Sequence, residues 1–169
     1  YLFNRNTNKM KWLLPIRKAI NPKDMSPMKP IKFTSRDGLD IHGYLTIPKD
    51  SDGKNLPLIV NPHGGPFGIR DFWGYNPEHQ FFASRGYATV QVNYRGSGGY
   101  GRKFEQAGYG GKWGAEMQND LTDAVKYLIK EGIADSDKVC IYGASYGGYA
   151  TMAGLTFTPD LYKCGINYV

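Results

Sequence analysis

A mostly parallel, doubly wound α/β sheet is the fold class this sequence predicts, and three observations predict it. β-type runs alternate with helical segments of about ten to fifteen residues, which implies βαβ crossovers. One such run, Lys138–Tyr142, passes straight into a glycine-flanked serine and out into an Ala/Gly/Met helix. The chain has 169 residues, 41% hydrophobic and 21% charged, enough for one domain with a core of its own.

The elements follow in order. Tyr1–Arg5 and Met10–Leu14 are short apolar or aromatic runs around Asn6-Thr-Asn-Lys9, whose asparagines suit turns, and they predict a β-hairpin. Residues 18–30 carry Pro22, Pro27 and Pro30 among Lys and Asn, the chemistry of a linker. From Ile31 the alternation Ile31–Ser35, the turn Arg36–Leu39 and the alternation Ile41–Ile47 predict a second hairpin, an antiparallel edge to the sheet. Leu56–Val60 reads as an interior strand, and residues 77–85 as a helix opening on a proline and ending at Gly86. Tyr87–Val92 is β-branched and strand-like. Seven glycines between Asn93 and Gly114 predict one long loop. Leu121, Ala124, Val125, Leu128 and Ile129 recur at helical spacing within 115–130. Strand 138–142, helix 146–155 and strand 163–169 complete the pattern.

The net charge of +6 is local. Residues 1–54 hold eleven Lys and Arg against five Asp and Glu, and the remainder holds ten of each. The basic residues are scattered through turns and linker without aromatic interleaving, so a solvated surface is expected and no nucleic acid partner. The longest uncharged stretch, Val139–Pro159, is broken by four glycines, and no membrane span is expected. Cys140 and Cys164 lie 24 apart in apolar runs, a spacing that suggests neither a metal site nor a disulfide framework; buried thiols are expected. No metal ligand set and no cofactor motif is visible.

Gly143-Ala-Ser-Tyr-Gly147 fits the pattern G-x-S-x-G. The string alone is weak evidence; its position between a strand and a helix gives it weight, because a serine on that sharp turn is lifted above the sheet edge. His63-Gly-Gly-Pro66 follows the first interior strand, where a hydrolase of this fold places its other oxyanion donor. The tetrahedral oxyanion of acyl transfer calls for two aimed N–H groups, here that of Tyr146 and one from Gly64 or Gly65. Pro66 cannot donate. Asp120 and Asp123, at i and i+3 on a helix, are expected to hold the glycine loop or face solvent. Arg95 and Arg102 flank glycines that open no helix directly, which argues against a phosphate site.

In order along the chain, His63-Gly-Gly-Pro66, Phe82-Ala-Ser-Arg-Gly-Tyr87, Val92-Asn-Tyr-Arg-Gly-Ser-Gly-Gly-Tyr-Gly101, Gly111-Lys-Trp-Gly114, Asn119-Asp-Leu-Thr-Asp-Ala-Val125 and Gly143–Tyr149 resemble the prolyl oligopeptidase family of serine peptidases, especially its acylaminoacyl-peptidase and dipeptidyl-aminopeptidase-like branch. The resemblance covers about residues 31–169 and implies an α/β-hydrolase fold, Ser145 as nucleophile, and the N–H groups of Gly65 and Tyr146 as oxyanion hole. It implies hydrolysis of short peptides with no cofactor. The opening hairpin is similar to the end of the β-propeller that precedes the catalytic domain in this family, so 1–30 is expected to belong to that domain and its linker, and 31–169 to the catalytic one.

One departure stands out. The triad of this fold runs Ser, then Asp or Glu, then His along the chain. After Ser145 the only carboxylate is Asp160, and His42, His63 and His79 all precede the serine. His63 is a poor substitute base, since a residue shaping the hole faces the oxyanion and not the Oγ proton. Tyr1 is not a natural first residue, and the chain ends in an apolar run. A fragment is therefore expected, its triad Asp and His beyond Val169, inactive alone and partnered by the missing part of its own catalytic domain or paired with it as a nicked enzyme. A carboxylesterase of the same fold and a non-catalytic binding homologue are the alternatives.

Overall fold

In the computed structural model, which describes residues 1–168, the chain forms two sheets. Strands β1 (Leu2–Asn4) and β2 (Lys9–Lys11) make the opening antiparallel hairpin, exposed throughout. Asn4 Oδ1 accepts the N–H groups of Asn6 and Thr7, and Asn8 takes a positive φ of 53°, which is the turn chemistry the asparagines predict. A 3-10 turn at Pro22–Asp24 interrupts the linker.

The main sheet has six strands: β3 (Met28–Thr34), β4 (Asp40–Thr46), β5 (Leu56–Pro62), β6 (Ala88–Asn93), β7 (Ala134–Ala144) and β8 (Cys164–Tyr168), in the spatial order β3-β4-β6-β5-β7-β8. β3, β4 and β6 pair antiparallel, and β6, β5, β7 and β8 run parallel. The parallel strands are joined by α1 (Pro77–Ala83), α3 (Glu116–Lys130) and α4 (Tyr146–Phe157). Asn76 caps α1 by accepting from the N–H groups of Glu78 and His79, with Pro77 in the first helical position. The apolar stripe of α3 (Leu121, Ala124, Val125, Leu128) packs with Leu58, Val60, Val90, Val92 and Ile141 in one core.

Three expectations need correction. The glycine-rich stretch is not loop throughout, because α2 (Arg102–Gln106) forms inside it, with Phe104 buried as its anchor. β7 begins at Ala134 and not Lys138, since the polar residues Ser136, Asp137 and Lys138 are exposed there and their side-chain polarity does not oppose extended backbone. Cys140 and Cys164 are not buried thiols. They are disulfide-bonded, because parallel pairing of β7 with β8 sets the two residues in register with Cα atoms 4.7 Å apart. Val169, the last residue of the expected final strand, lies outside the described residues.

Candidate active site

The parallel strands β5 and β7 end side by side, and the two loops that leave them meet. β7 turns into α4 at Ser145, which is exposed while Tyr146, Gly147 and Gly148 behind it are buried. Its φ of 56° and ψ of −123° are unusual for a residue with a side chain, and such strain is typical of a serine lifted at a strand-to-helix turn. Two backbone bonds hold it: its N–H donates to Tyr168 O on β8 (3.0 Å), and its carbonyl accepts from Tyr149 N–H (3.0 Å). Gly147 is needed for close approach, since a Cβ there would run into the Pro62 carbonyl oxygen at the end of β5. Tyr146 is the first residue of α4, so its N–H has no acceptor within the helix.

The loop after β5 lies against this turn. A Cβ on Gly64 would stand 3.5 Å from Ser145 Cβ and 3.9 Å from its Oγ. Gly65 has φ of 119°, open in practice only to glycine, and precedes a cis bond to Pro66. Gly68 N–H donates to Gly96 O, and Gly98 N–H to Ile69 O, so this loop is laced to the one that leaves β6.

That second loop is clamped by charge. Arg95 donates to Asp120 from its backbone N–H and two side-chain nitrogens, and to Asp37 from the other face (2.6–2.9 Å). Burial works against the guanidinium charge, but the hydrogen bonds and charges of the two aspartates outweigh it and raise its pKa. Asp120 also accepts from Ser35, and Asp123 accepts from Ser35 and Arg36. The two aspartates thus hold the glycine loop and the β3–β4 hairpin to α3; Arg95 binds protein carboxylates and not phosphate. Arg102 begins α2.

No histidine reaches Ser145 Oγ by a hydrogen bond among the described residues. His42 stacks on Tyr100 over β4. His63 has both ring nitrogens engaged, Nδ1 with Gly64 O (2.7 Å) and Nε2 with Ser97 Oγ (2.8 Å), and burial pushes its pKa down. His79 lies buried under the sheet and donates from Nε2 to Asn61 Oδ1 (3.0 Å), while Asn61 Nδ2 donates to Tyr142 O (2.7 Å), bridging β5 and β7 just before both loops begin. Burial lowers the His79 pKa to about 4 and raises that of nearby Asp71 to about 6. Sequence reading missed this polar group: Asn61, Asp71, His79 and Gln91 are single polar residues on separate segments, with no shared spacing. Among the aromatic residues nearby, Trp113 packs edge-on against Tyr146 (4.8 Å), Tyr100 accepts from Asn93, and exposed Trp73 donates to Met28 O.

Sheet order, crossovers and the serine at the β7–α4 turn define an α/β-hydrolase fold. Residues 73–169 match the prolyl oligopeptidase family. The chain is 42% identical, over its whole length, to dipeptidyl aminopeptidase BIII of Pseudoxanthomonas mexicana, of which it covers 25%. Among solved structures, a puromycin hydrolase superposes with TM-score 0.81 at 31% identity, over 88% of this chain and 23% of that one. An acylaminoacyl peptidase solved with Z-Gly-Gly-Phe-chloromethyl ketone gives 0.74 at 36%, over 85% and 23%. The chain belongs to the prolyl oligopeptidase family, and its related full-length proteins are peptidases. It spans about a quarter of the length of the relatives it matches.

Proposed function

We propose that this chain is part of the catalytic domain of a serine peptidase acting on short peptides, with Ser145 as nucleophile and the N–H groups of Gly65 and Tyr146 as oxyanion hole. The observation that carries this reading is the exposed Ser145, held at a strained strand-to-helix turn with Gly64 packed against it. Ser145 Oγ attacks the scissile carbonyl as its proton passes to the triad histidine. The two N–H groups receive the charge on the carbonyl oxygen. The same proton then goes to the leaving amine, and water releases the acyl group by the reverse sequence.

Residues 1–30 belong in this reading to a preceding β domain and its linker, although Met28–Pro30 at the linker's end already pair in β3, and 31–169 to the catalytic domain, whose Asp and His lie beyond Val169. Residues 1–169 alone should then be inactive, because loss of the base costs on the order of 10⁶ in turnover. In the intact protein, a fluorophosphonate should label Ser145, and Ser145→Ala should abolish both labelling and cleavage of dipeptidyl or acyl-aminoacyl amides. Activity on simple esters alone would make it a carboxylesterase, and an unlabelled serine would make it a binding homologue. Enzyme-like turnover by residues 1–169 that Ser145→Ala removes would overturn the placement of the base.

A further inference from the structure

Two arginines stand in the two loops beside Ser145, and only one of them is matched by protein carboxylates. Arg95 meets Asp37 and Asp120. Arg70, in the loop that leaves β5 and carries Gly65, forms no ion pair among the described residues. Asp71 follows it in the chain, but Asp71 Oδ2 is buried without a partner.

The Arg70 guanidinium is nonetheless held in place. Its Nε–H donates to Asp71 O (3.1 Å), and Nη2 donates to the Tyr44 hydroxyl (2.9 Å). Its Cζ lies 4.5 Å from the Tyr100 ring centre and 5.1 Å from that of Phe72. The backbone on either side is fixed as well. Gly98 N–H donates to Ile69 O (3.0 Å), and Asn93 accepts from Asp71 N–H (2.8 Å) and donates to Asp71 O (3.2 Å). Gly99 leaves room for the head group, since a Cβ there would come within 2.7 Å of Nη1. Nη1 has no acceptor among the described residues and is not sealed off by them. A guanidinium stacked on two rings has already lost its rotamer freedom, and its unused N–H groups suit a planar anion that accepts two parallel bonds.

The loop sets this cation along the site. Gly64 packs on Ser145, a Cβ on Gly65 would stand 3.4 Å from Ile69 Cβ, and Arg70 follows exposed Ile69. Hydroxyl and guanidinium are thus separated by a continuous strip on the order of 10 Å long, which an extended peptide covers in about three residues. The sign of the charge gives the direction. The negative end of a short peptide is its C-terminal carboxylate, on the leaving-group side of the cleaved bond; the ammonium end, on the acyl side, is repelled.

We propose that Arg70 is a specificity-determining residue: held by Tyr44 and stacked on Tyr100 and Phe72, it takes the free C-terminal carboxylate of a peptide substrate about three residues beyond the cleaved bond. This rests on the reading of Ser145 as the nucleophile of a peptidase. The subsite selects short peptides with a free carboxyl end and takes no part in the bond-breaking step.

The test uses the intact protein and peptides of one sequence, extended stepwise after the cleaved bond, each as free acid and as C-terminal amide. In the parent, kcat/KM should favour the acid about 30-fold when about three residues follow the bond, the scale of a charge-assisted pair, and less at other lengths. Added salt should weaken the preference. In Arg70→Gln the acid-to-amide ratio should fall to about 1, and in Arg70→Lys, which keeps the charge without the fork, to about 5. Tyr44→Phe removes only the hydroxyl that holds Nη2 and should lower the ratio about threefold, which decides the matter if Arg70→Gln does not fold. Equal rates on acid and amide in the parent, a ratio that survives Arg70→Gln, or one unmoved by Tyr44→Phe overturns the proposal. A preference that follows an acidic side chain in amidated peptides overturns it too. Cleavage that Ser145→Ala abolishes, without acid preference, refutes the Arg70 subsite alone. Turnover that persists in Ser145→Ala defeats the peptidase reading, and the subsite falls with it.

Discussion

Two polar clusters hold the two loops at this end of the sheet, and they handle burial in opposite ways. Arg95, with Asp120 and Asp37, keeps its charge although it is 5% exposed and Asp120 is fully buried. For Arg95 the guanidinium fork meets both carboxylates and the attraction outweighs desolvation, whereas burial still raises the Asp120 pKa despite the donors its oxygens collect. On the other loop, His63 is pushed toward neutrality, and beneath it His79 and Asp71 are shifted the same way. None of these three has an ion-pair partner among the described residues. For Arg95 the geometry of the partners, and not burial, decides the charge. The charged clasp fixes where the glycine loop sits, and on the neutral side His63 Nδ1 meets the Gly64 carbonyl beside Ser145.

The largest effect should come from breaking the charged clasp. Asp120→Asn leaves Arg95 buried with half its compensation and should cost about 3–5 kcal/mol of stability, read from urea unfolding of the intact protein. Its folded fraction should still label at Ser145 with a fluorophosphonate, since the clasp touches no reacting group. Loss of labelling at full stability would erase the distinction between the two clusters.

A covalent tie comes next in size, and it shows where sequence reading stops. The strand-to-helix turn at Ser145 was legible because its glycines answer a local need: Gly147 lies where the helix start meets the β5 end. The Arg95–Asp120 clasp was legible in part, since aspartates on a helix facing a glycine loop suggest an anchor. The Cys140–Cys164 bond was not, because its cause is the pairing of β7 with β8, which no residue between them announces. Helix α2 was hidden for a related reason: the glycines around it dominate the local pattern, and Phe104 finds its burial only in three dimensions. With the cysteines 24 positions apart, Cys164→Ser should cost about 3 kcal/mol, and the parent should lose as much on reduction. Because Tyr168 of the tied strand accepts the Ser145 N–H, labelling of Ser145 should also slow under thiol reductant. A stability unchanged by reductant would remove this tie from the account.

The smallest effect tests the neutral side of the comparison most directly. Asp71 and His79 are displaced in opposite directions from their ordinary values. Asp71 faces Gln91 and Arg70, and His79 faces Gln91 and Asn61. The folded chain prefers Asp71 protonated, with a pKa of about 6 against 3.8, so this carboxyl stabilises the fold below about pH 4 and loses that contribution as pH rises through 6. His79 is preferred neutral, with a pKa of about 4 against 6.5, so its contribution is present above 6.5 and lost as pH falls through 4. Between pH 4 and 6.5 the two nearly cancel in the parent. Measured as stability relative to the parent, Asp71→Asn should therefore gain on the order of 2 kcal/mol as pH rises across that window, and His79→Gln should lose a similar amount. Two difference curves of opposite slope are what a pair of charge-averse groups under one sheet must give. Curves of the same sign would mean that one of them keeps its charge when folded, and the contrast with Arg95 and Asp120 would then rest on His63 alone.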